Sequence, residues 1–182
     1  GLDVTGLFRL FPIAIDKARI PISATVAGEV RQIAVPLAGG FDGRTAELTP
    51  YHAQLAELTH VVPLVELAFV RSGDKGDISN IGVVARHRDA LPYIREALTA
   101  PAIAEWFAHL FKSDAPQRIE LFELPGFHSL NIVLHAALEG GITASTRFDA
   151  MGKGLAQQLL EFPIPISEQA MQAVVAAKRD GY

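Results

Sequence analysis

The chain has 182 residues, of which 49% are hydrophobic and 20% are charged, and its formal net charge is -4 at pH 7. This size and composition allow one full-sized domain with an appendage. The acidic balance without a basic block argues against a nucleic-acid partner, the lack of an apolar run of about 18 residues argues against membrane insertion, and the absence of cysteine excludes disulfides and favours a cytoplasmic location.

The N-terminal part of the sequence predicts short strands followed by a linker. β-Branched and apolar residues alternate with Pro and Gly, a pattern typical of strands. We interpret residues 1 to 37 as a β-rich appendage, or the remnant of a preceding domain. Residues 38 to 61 are rich in Gly, Pro and polar residues and predict a linker, with a short helix over 50–58.

Stronger signals begin after Pro63. Apolar runs predict strands over 64–70 and 80–86, with the polar segment RSGDKGDISN as a ten-residue loop between them. Asp89 is a typical N-cap for a first helix, and Pro101 suits the first turn of a second. Apolar residues spaced i, i+3, i+4 in this second helix predict that it packs on a sheet with Trp106 buried.

The C-terminal half predicts more strands and two helices. Glycine and proline turns separate alternating segments, which predicts strands over 117–124, 129–137 and 142–148 in the same mainly antiparallel sheet. A helix over 152–161 and the proline-marked edge strand FPIPI follow. Ser167 is then expected to begin a last helix.

The order of these elements predicts an α+β fold. From Ile81 onward the chain runs strand, helices, strand, strand, a further strand, helix, strand. This order matches a ferredoxin-like split βαββαβ sandwich with extra strands, preceded by a small β-rich N-terminal appendage.

The segment from Arg71 to Asp77 is the main candidate for a site, because it combines two acids, two bases, a hydroxyl and two glycines in seven positions. Glycines let a backbone approach a ligand, and an arginine can bind a carboxylate or phosphate with two hydrogen bonds. We predict a small anionic ligand bound by the following residues: Arg71, Ser72, Asp74, Lys75, Asp77 and Asn80. A solvated turn with internally paired charges is the alternative. The spacing matches neither a Walker A loop nor GxGxxG.

Residues from later segments are predicted to join this site. His128, Asn131 and Arg147 lie at or near the ends of predicted neighbouring strands, so their convergence on the loop would form a composite pocket. Each also suits a structural role. Asp74 and Asp77 could instead hold a hard cation such as Mg²⁺, but the spacing of the six histidines gives little support to a metal site and none is predicted.

Three ordered segments resemble a known family. VRSGDKGDISNIGVVAR, ELPGFHSLNIVLHAALEGG and RFDAMGKGLAQQLLEFPI are similar to successive segments of the C-terminal ferredoxin-like domain of acyclic terpene utilisation A (AtuA-like) proteins. The resemblance covers residues 62 to 166 and leaves 167 to 182 as a helical tail. It implies an association with the breakdown of acyclic terpenoids and with acyl-CoA pathways, and a larger AtuA-type domain as a partner. It supplies no catalytic residues and no cofactor, both of which stay unknown.

Two functions are compatible with the sequence. The first is a ligand-handling or enzyme-associated domain that acts on branched acids or their CoA thioesters through the Arg71 to Asn80 segment. The second is a non-catalytic assembly module, in which the edge strand over 162–166 pairs between chains. A homo-oligomer is expected in either case.

Overall fold

The computed structural model describes residues 13–37, 55–111 and 117–179. These residues fall into two compact units, one within 13–37 and one made of the rest. Most of the predicted linker over 38–61, including the start of its predicted helix, lies outside the described residues, and the predicted domain boundaries stay predictions. In the described ranges no helix combines the length and apolarity needed to cross a membrane.

The smaller unit is a hairpin of β1 (Ser23–Val26) and β2 (Glu29–Gln32). Ala27 and Gly28 form its two-residue turn at φ 51° and 86°, the left-handed conformation that matches the twist of paired strands. None of its described residues is buried. Its apolar side chains, including Val26 and Val30, are therefore exposed.

The larger unit alternates strands and helices. Its strands are β3 (His60–Pro63), β4 (Ala68–Lys75), β5 (Ile78–Ala85), β6 (Ile119–Leu124), β7 (Ser129–Leu134) and β8 (Pro163–Ile166). Its helices are α1 (Leu91–Ala97), α2 (Ala100–Trp106), α3 (Leu155–Leu159) and α4 (Glu168–Arg179). This mixture confirms the predicted α+β class.

Four strands form the main antiparallel sheet in the order β4-β5-β7-β6. From β5 onward the chain runs strand, helices, strand, strand, helix, strand, which is the predicted order of a split βαββαβ unit without the predicted further strand. The position beside β5 is filled by β4, however, and β8 pairs instead with β3 in a separate two-stranded sheet. The strand that completes the main sheet therefore comes from before the βαββαβ unit.

The predicted strand over 142–148 is wrong. These residues form turns, because the amides of Ala144 and Ser145 both donate to the carbonyl of Gly141. Gly140 and Gly141 hold φ values of 90° and 82°, which direct the chain into a local turn. The alternation of polar and apolar residues in this segment resembles a strand pattern but has no ladder partner.

The core lies on one face of the main sheet. Ile81, Val83 and Ile132 are buried on that face and belong to one cluster with residues of the helices. Trp106 was predicted to be buried and is half-buried, with its ring 5.0 Å from that of Phe162 in an edge-to-face contact. The helix around it packs on β6 as predicted. The other face, the open face, carries exposed side chains such as Arg71, Phe69 and Phe122, an arrangement that antiparallel sheets tolerate.

Helix starts follow the predictions in part. Ser167 caps α4 as predicted, since its hydroxyl accepts the Ala170 amide at 3.3 Å. The residue before α1 is Ala90, not Asp89, because a short 3₁₀ turn over Arg88–Ala90 precedes the helix. In that turn the ring of His87 accepts the Asp89 amide.

Candidate functional site

The predicted ten-residue loop is wrong, because most of its residues belong to strands. β4 continues to Lys75 and β5 begins at Ile78, so only Gly76 and Asp77 form the turn. Gly76 has φ 62°, as the first central residue of a type II′ hairpin turn requires. The dipeptide Gly-Asp between alternating residues is the signal that predicts this hairpin.

Because the segment is a strand, its side chains divide between the two sheet faces. Ser72 is buried toward the helices, whereas Arg71 is exposed on the open face. Across the strands, Arg71 pairs in register with Gly82, and Gly82 with Asn131. The next row on this face pairs Gly73 with Asn80. The open face therefore has arginine and asparagine side chains beside two positions without side chains.

A cavity of about 500 Å³ lies at this edge of the sheet. It is lined by Arg71, Ser72, Gly73, Asp74, Lys75, Asn80, Gly82 and Lys153. Five of these eight are residues predicted as ligand-binding from the sequence. The structure thus brings the larger part of the predicted segment together around one space.

The charges around the cavity are unbalanced. Arg71, Lys75 and Lys153 supply three cations, and Asp74 supplies one carboxylate. Lys153 lies 3.5 Å from that carboxylate, and the Lys75 ammonium donates to the Asp74 backbone carbonyl at 3.3 Å. Among the described residues, no hydrogen bond or ion pair engages the Arg71 guanidinium. The cavity therefore has a net positive charge and one cation available for a ligand.

Lys153 reaches the cavity because the segment before α3 is fixed to β4. The Ser72 hydroxyl donates to the Lys153 carbonyl at 2.9 Å and accepts the Ala156 amide at 3.1 Å. The Asp149 carboxylate accepts the amides of Lys153 and Gly154 at 2.9 and 2.8 Å. Asp149 and Lys153 are distant from β4 in the sequence, and their approach to it requires the tertiary fold. Ser72 is consequently a positioning residue beside the cavity.

Asp77 has a different environment from Asp74. Its carboxylate accepts the amides of Leu138 at 3.1 Å and Gly140 at 2.8 Å. Its backbone carbonyl accepts the Ala137 amide at 3.0 Å. Asp77 therefore connects the hairpin turn to the segment after β7, and the two aspartates have separate partners. No group of three or more acidic or histidine side chains suited to a metal ion occurs in the part of the chain that the structure describes.

The three later candidates lie in different places. Asn131 is adjacent to the cavity and accepts a hydrogen bond from the Asn80 amide at 3.3 Å. The Arg147 guanidinium donates to the carbonyls of Ala137 and Leu110 at 2.5 and 2.6 Å, which is a structural role. His128 is exposed at φ 50° in the turn before β7 and borders another cavity, of about 360 Å³.

One titratable cluster lies on the outer strand β6. The Glu120 carboxylate contacts the His135 ring and the Arg118 guanidinium, and the hydrogen bond from His135 is the main reason that its pKa is lowered. Glu120 and His135 do not line the cavity at β4. This cluster is therefore separate from the candidate site.

Comparison with known proteins gives one match. The family model described as AtuA ferredoxin-like domain matches residues 62–165, which is more than half of the chain. A search of the curated proteins found no significant match. A search of the solved structures likewise found none.

Proposed function

The chain belongs to the AtuA ferredoxin-like domain family, and from this premise we propose that it binds a small organic anion at the cavity beside β4. The observation that carries the proposal is the set of three cations, Arg71, Lys75 and Lys153, around a space with a single carboxylate. A carboxylate or phosphate group in this space would be held by charge-assisted hydrogen bonds, the strongest kind available to protein side chains.

The resemblance to AtuA-like proteins narrows the ligand class. That family is associated with the breakdown of acyclic terpenoids, whose intermediates are branched acids and their CoA thioesters. Both carry carboxylate or phosphate groups. The proposal is accordingly a ligand-handling or enzyme-associated domain for such acids, acting beside a larger AtuA-type domain in the cytoplasm.

The proposal is tested by titrating inorganic phosphate and butyrate into the chain by calorimetry and by thermal shift, since a ligand that binds only the folded state raises its apparent stability. Removing a cation that makes a charge-assisted hydrogen bond costs about 1.5 kcal/mol, which is about a ten-fold loss of affinity. Arg71→Gln and Lys153→Gln should each show this loss.

Arg179→Gln is the matched control, because Arg179 is an exposed cation in α4 that does not line the cavity. It should leave the affinity for phosphate unchanged. If neither anion binds, or if Arg179→Gln weakens binding as much as Arg71→Gln does, the proposed function is refuted.

A second candidate, assembly between copies of the chain, is favoured by a different feature. The edge strand named in the sequence is paired with β3, and Ile164 and Ile166 are buried. Exposed apolar side chains lie instead on the open face of the main sheet and in the turn beside it: Phe69, Val84, Phe122, Leu124 and Phe127. Light scattering of the native chain and of Phe122→Asp tests this candidate, which requires an oligomer that the substitution dissociates.

A further inference from the structure

The side-chain amide of Asn80 has a defined orientation. Its nitrogen donates to the Asn131 carbonyl oxygen at 3.3 Å, so its own carbonyl oxygen is directed away from β7. A Cβ atom placed on Gly73 would lie 3.4 Å from this Asn80 Oδ1 atom and 3.7 Å from Lys153 Nζ. Asn80 Oδ1 and the Lys153 ammonium therefore border the same point above Gly73.

This oxygen is an unused acceptor. In the described parts of the chain no N–H or O–H group donates to Asn80 Oδ1. The residue is half-buried and lines the cavity. A half-buried amide oxygen without a donor gains stability from a hydrogen bond supplied by a ligand.

The glycines beside Asn80 keep the space above the backbone open. Gly73 and Gly82 do not adopt the left-handed φ values that would by themselves favour glycine. A Cβ atom at Gly82 would come within 4 Å only of the Arg71 carbonyl oxygen, at 3.8 Å. Backbone conformation therefore does not explain why glycine occupies either position. The absence of a side chain, which keeps the cavity open, does explain it.

We infer that the ligand is a hydroxy carboxylic acid, whose carboxylate binds the cations and whose hydroxyl donates to Asn80 Oδ1. This inference rests on the proposed function and names the substrate class of the same site. A cation recognises the anionic group, and an acceptor oxygen beside it recognises a donor on a neighbouring carbon. Asn80 is then the specificity-determining residue, and Asn131 positions its amide.

The test compares matched carboxylates on the full chain. Butyrate, 2-hydroxybutyrate and 3-hydroxybutyrate are titrated by calorimetry, with amide chemical shifts to locate binding. One neutral hydrogen bond corresponds to about a three- to ten-fold gain in affinity. At least one hydroxy acid should bind more tightly than butyrate by this factor.

Substitutions then assign the gain to the amide oxygen. Asn80→Ala should reduce the ratio of hydroxy acid to butyrate affinity to about one. Asn131→Leu should lower the ratio by freeing the Asn80 amide to rotate. Gly73→Ala keeps ordinary contact distances and places a methyl group beside the acceptor, so it should lower the ratio even if the Asn80 variant folds poorly. His128→Ala, in the turn before β7, is the control and should keep the ratio.

The outcomes separate the two proposals. Equal binding of butyrate and both hydroxy acids overturns the inference and leaves anion binding in place. A ratio that survives Asn80→Ala and Gly73→Ala overturns it as well. Failure of all three carboxylates to bind, with phosphate still bound, overturns this inference alone. Failure of the carboxylates and of phosphate refutes the proposed function and this inference together.

Discussion

Changing each of the two aspartates of the hairpin to alanine should affect a different property, stability in one case and anion affinity in the other. Asp77→Ala removes the acceptor of the Leu138 and Gly140 amides. Asp74→Ala removes the single carboxylate that borders the cavity. The first change should lower stability without altering anion affinity, and the second should raise anion affinity with little change in stability.

The magnitudes follow from these contacts. Hydrogen bonds to a charged acceptor contribute about 1.5 to 3 kcal/mol each, and the lower value suits a half-buried carboxylate such as that of Asp77. Losing two of them should lower the free energy of unfolding by about 3 kcal/mol and the Tm by roughly 10 °C. The side chains of Asp74 and Lys153 are 23% and 53% exposed, so breaking their ion pair should cost less than about 1 kcal/mol.

The expected change in phosphate affinity can also be given a magnitude. A carboxylate near the bound anion opposes it by about 1 kcal/mol in a solvent-exposed cavity, so Asp74→Ala should tighten phosphate binding about five-fold. Urea unfolding followed by circular dichroism measures the stability of each variant, and calorimetry with phosphate measures the affinity. Equal stability losses in the two variants, or tighter phosphate binding by Asp77→Ala, would refute the assignment of separate roles.

Two further predictions concern a close backbone contact and an ion pair. Gly141→Ala should lower the free energy of unfolding in urea by more than about 2 kcal/mol, because its Cβ atom would lie 2.4 Å from the Gly76 carbonyl oxygen. Gly126→Ala is the control, since Gly126 has a similar positive φ but open space around it, and it should cost only about 1 kcal/mol. Similar losses of stability in both variants would contradict this steric account. The hydrogen bond from Lys178 lowers the pKa of Glu66 below its ordinary value of 4.5, so this carboxylate stabilises the fold above that value and less as pH falls through the folded-state pKa. Glu66→Gln should therefore lose less stability than the native chain between about pH 5 and about pH 3, as should Lys178→Gln, and a native pH dependence in both variants would contradict the prediction.

The sequence predicts the core-forming elements because their patterns are local. The alternation of Leu130, Ile132 and Leu134 identifies β7 and its buried face. The apolar residues Ile103 and Phe107 identify the buried face of α2 and of the residues that follow it. Each signal depends on spacing within one element, which a single sequence contains in full.

Pairing between elements is harder to predict from a single sequence. β4 lies beside β5 because a two-residue turn closes this hairpin at low entropic cost. The strand residues next to that turn are polar, so their composition is typical of a longer loop. The site shows the same limit, since Lys153 reaches the cavity through the contact of Ser72 with the segment before α3. Arginine often binds anionic ligands, but the Arg147 guanidinium donates its hydrogen bonds to backbone carbonyls. Carbonyl acceptors of this kind leave no signature in a sequence.

The one-sided burial of the main sheet also affects how the protein can change over evolutionary time. Ile81 and Ile132 are buried in the core, whereas Arg71, Asn80 and Asn131 lie on the open face. Most mutations that lower stability do so through the core or through buried polar networks. The three polar residues lie outside the core, so substitutions among them should change the chemistry of the candidate site with less effect on folding than substitutions in the core.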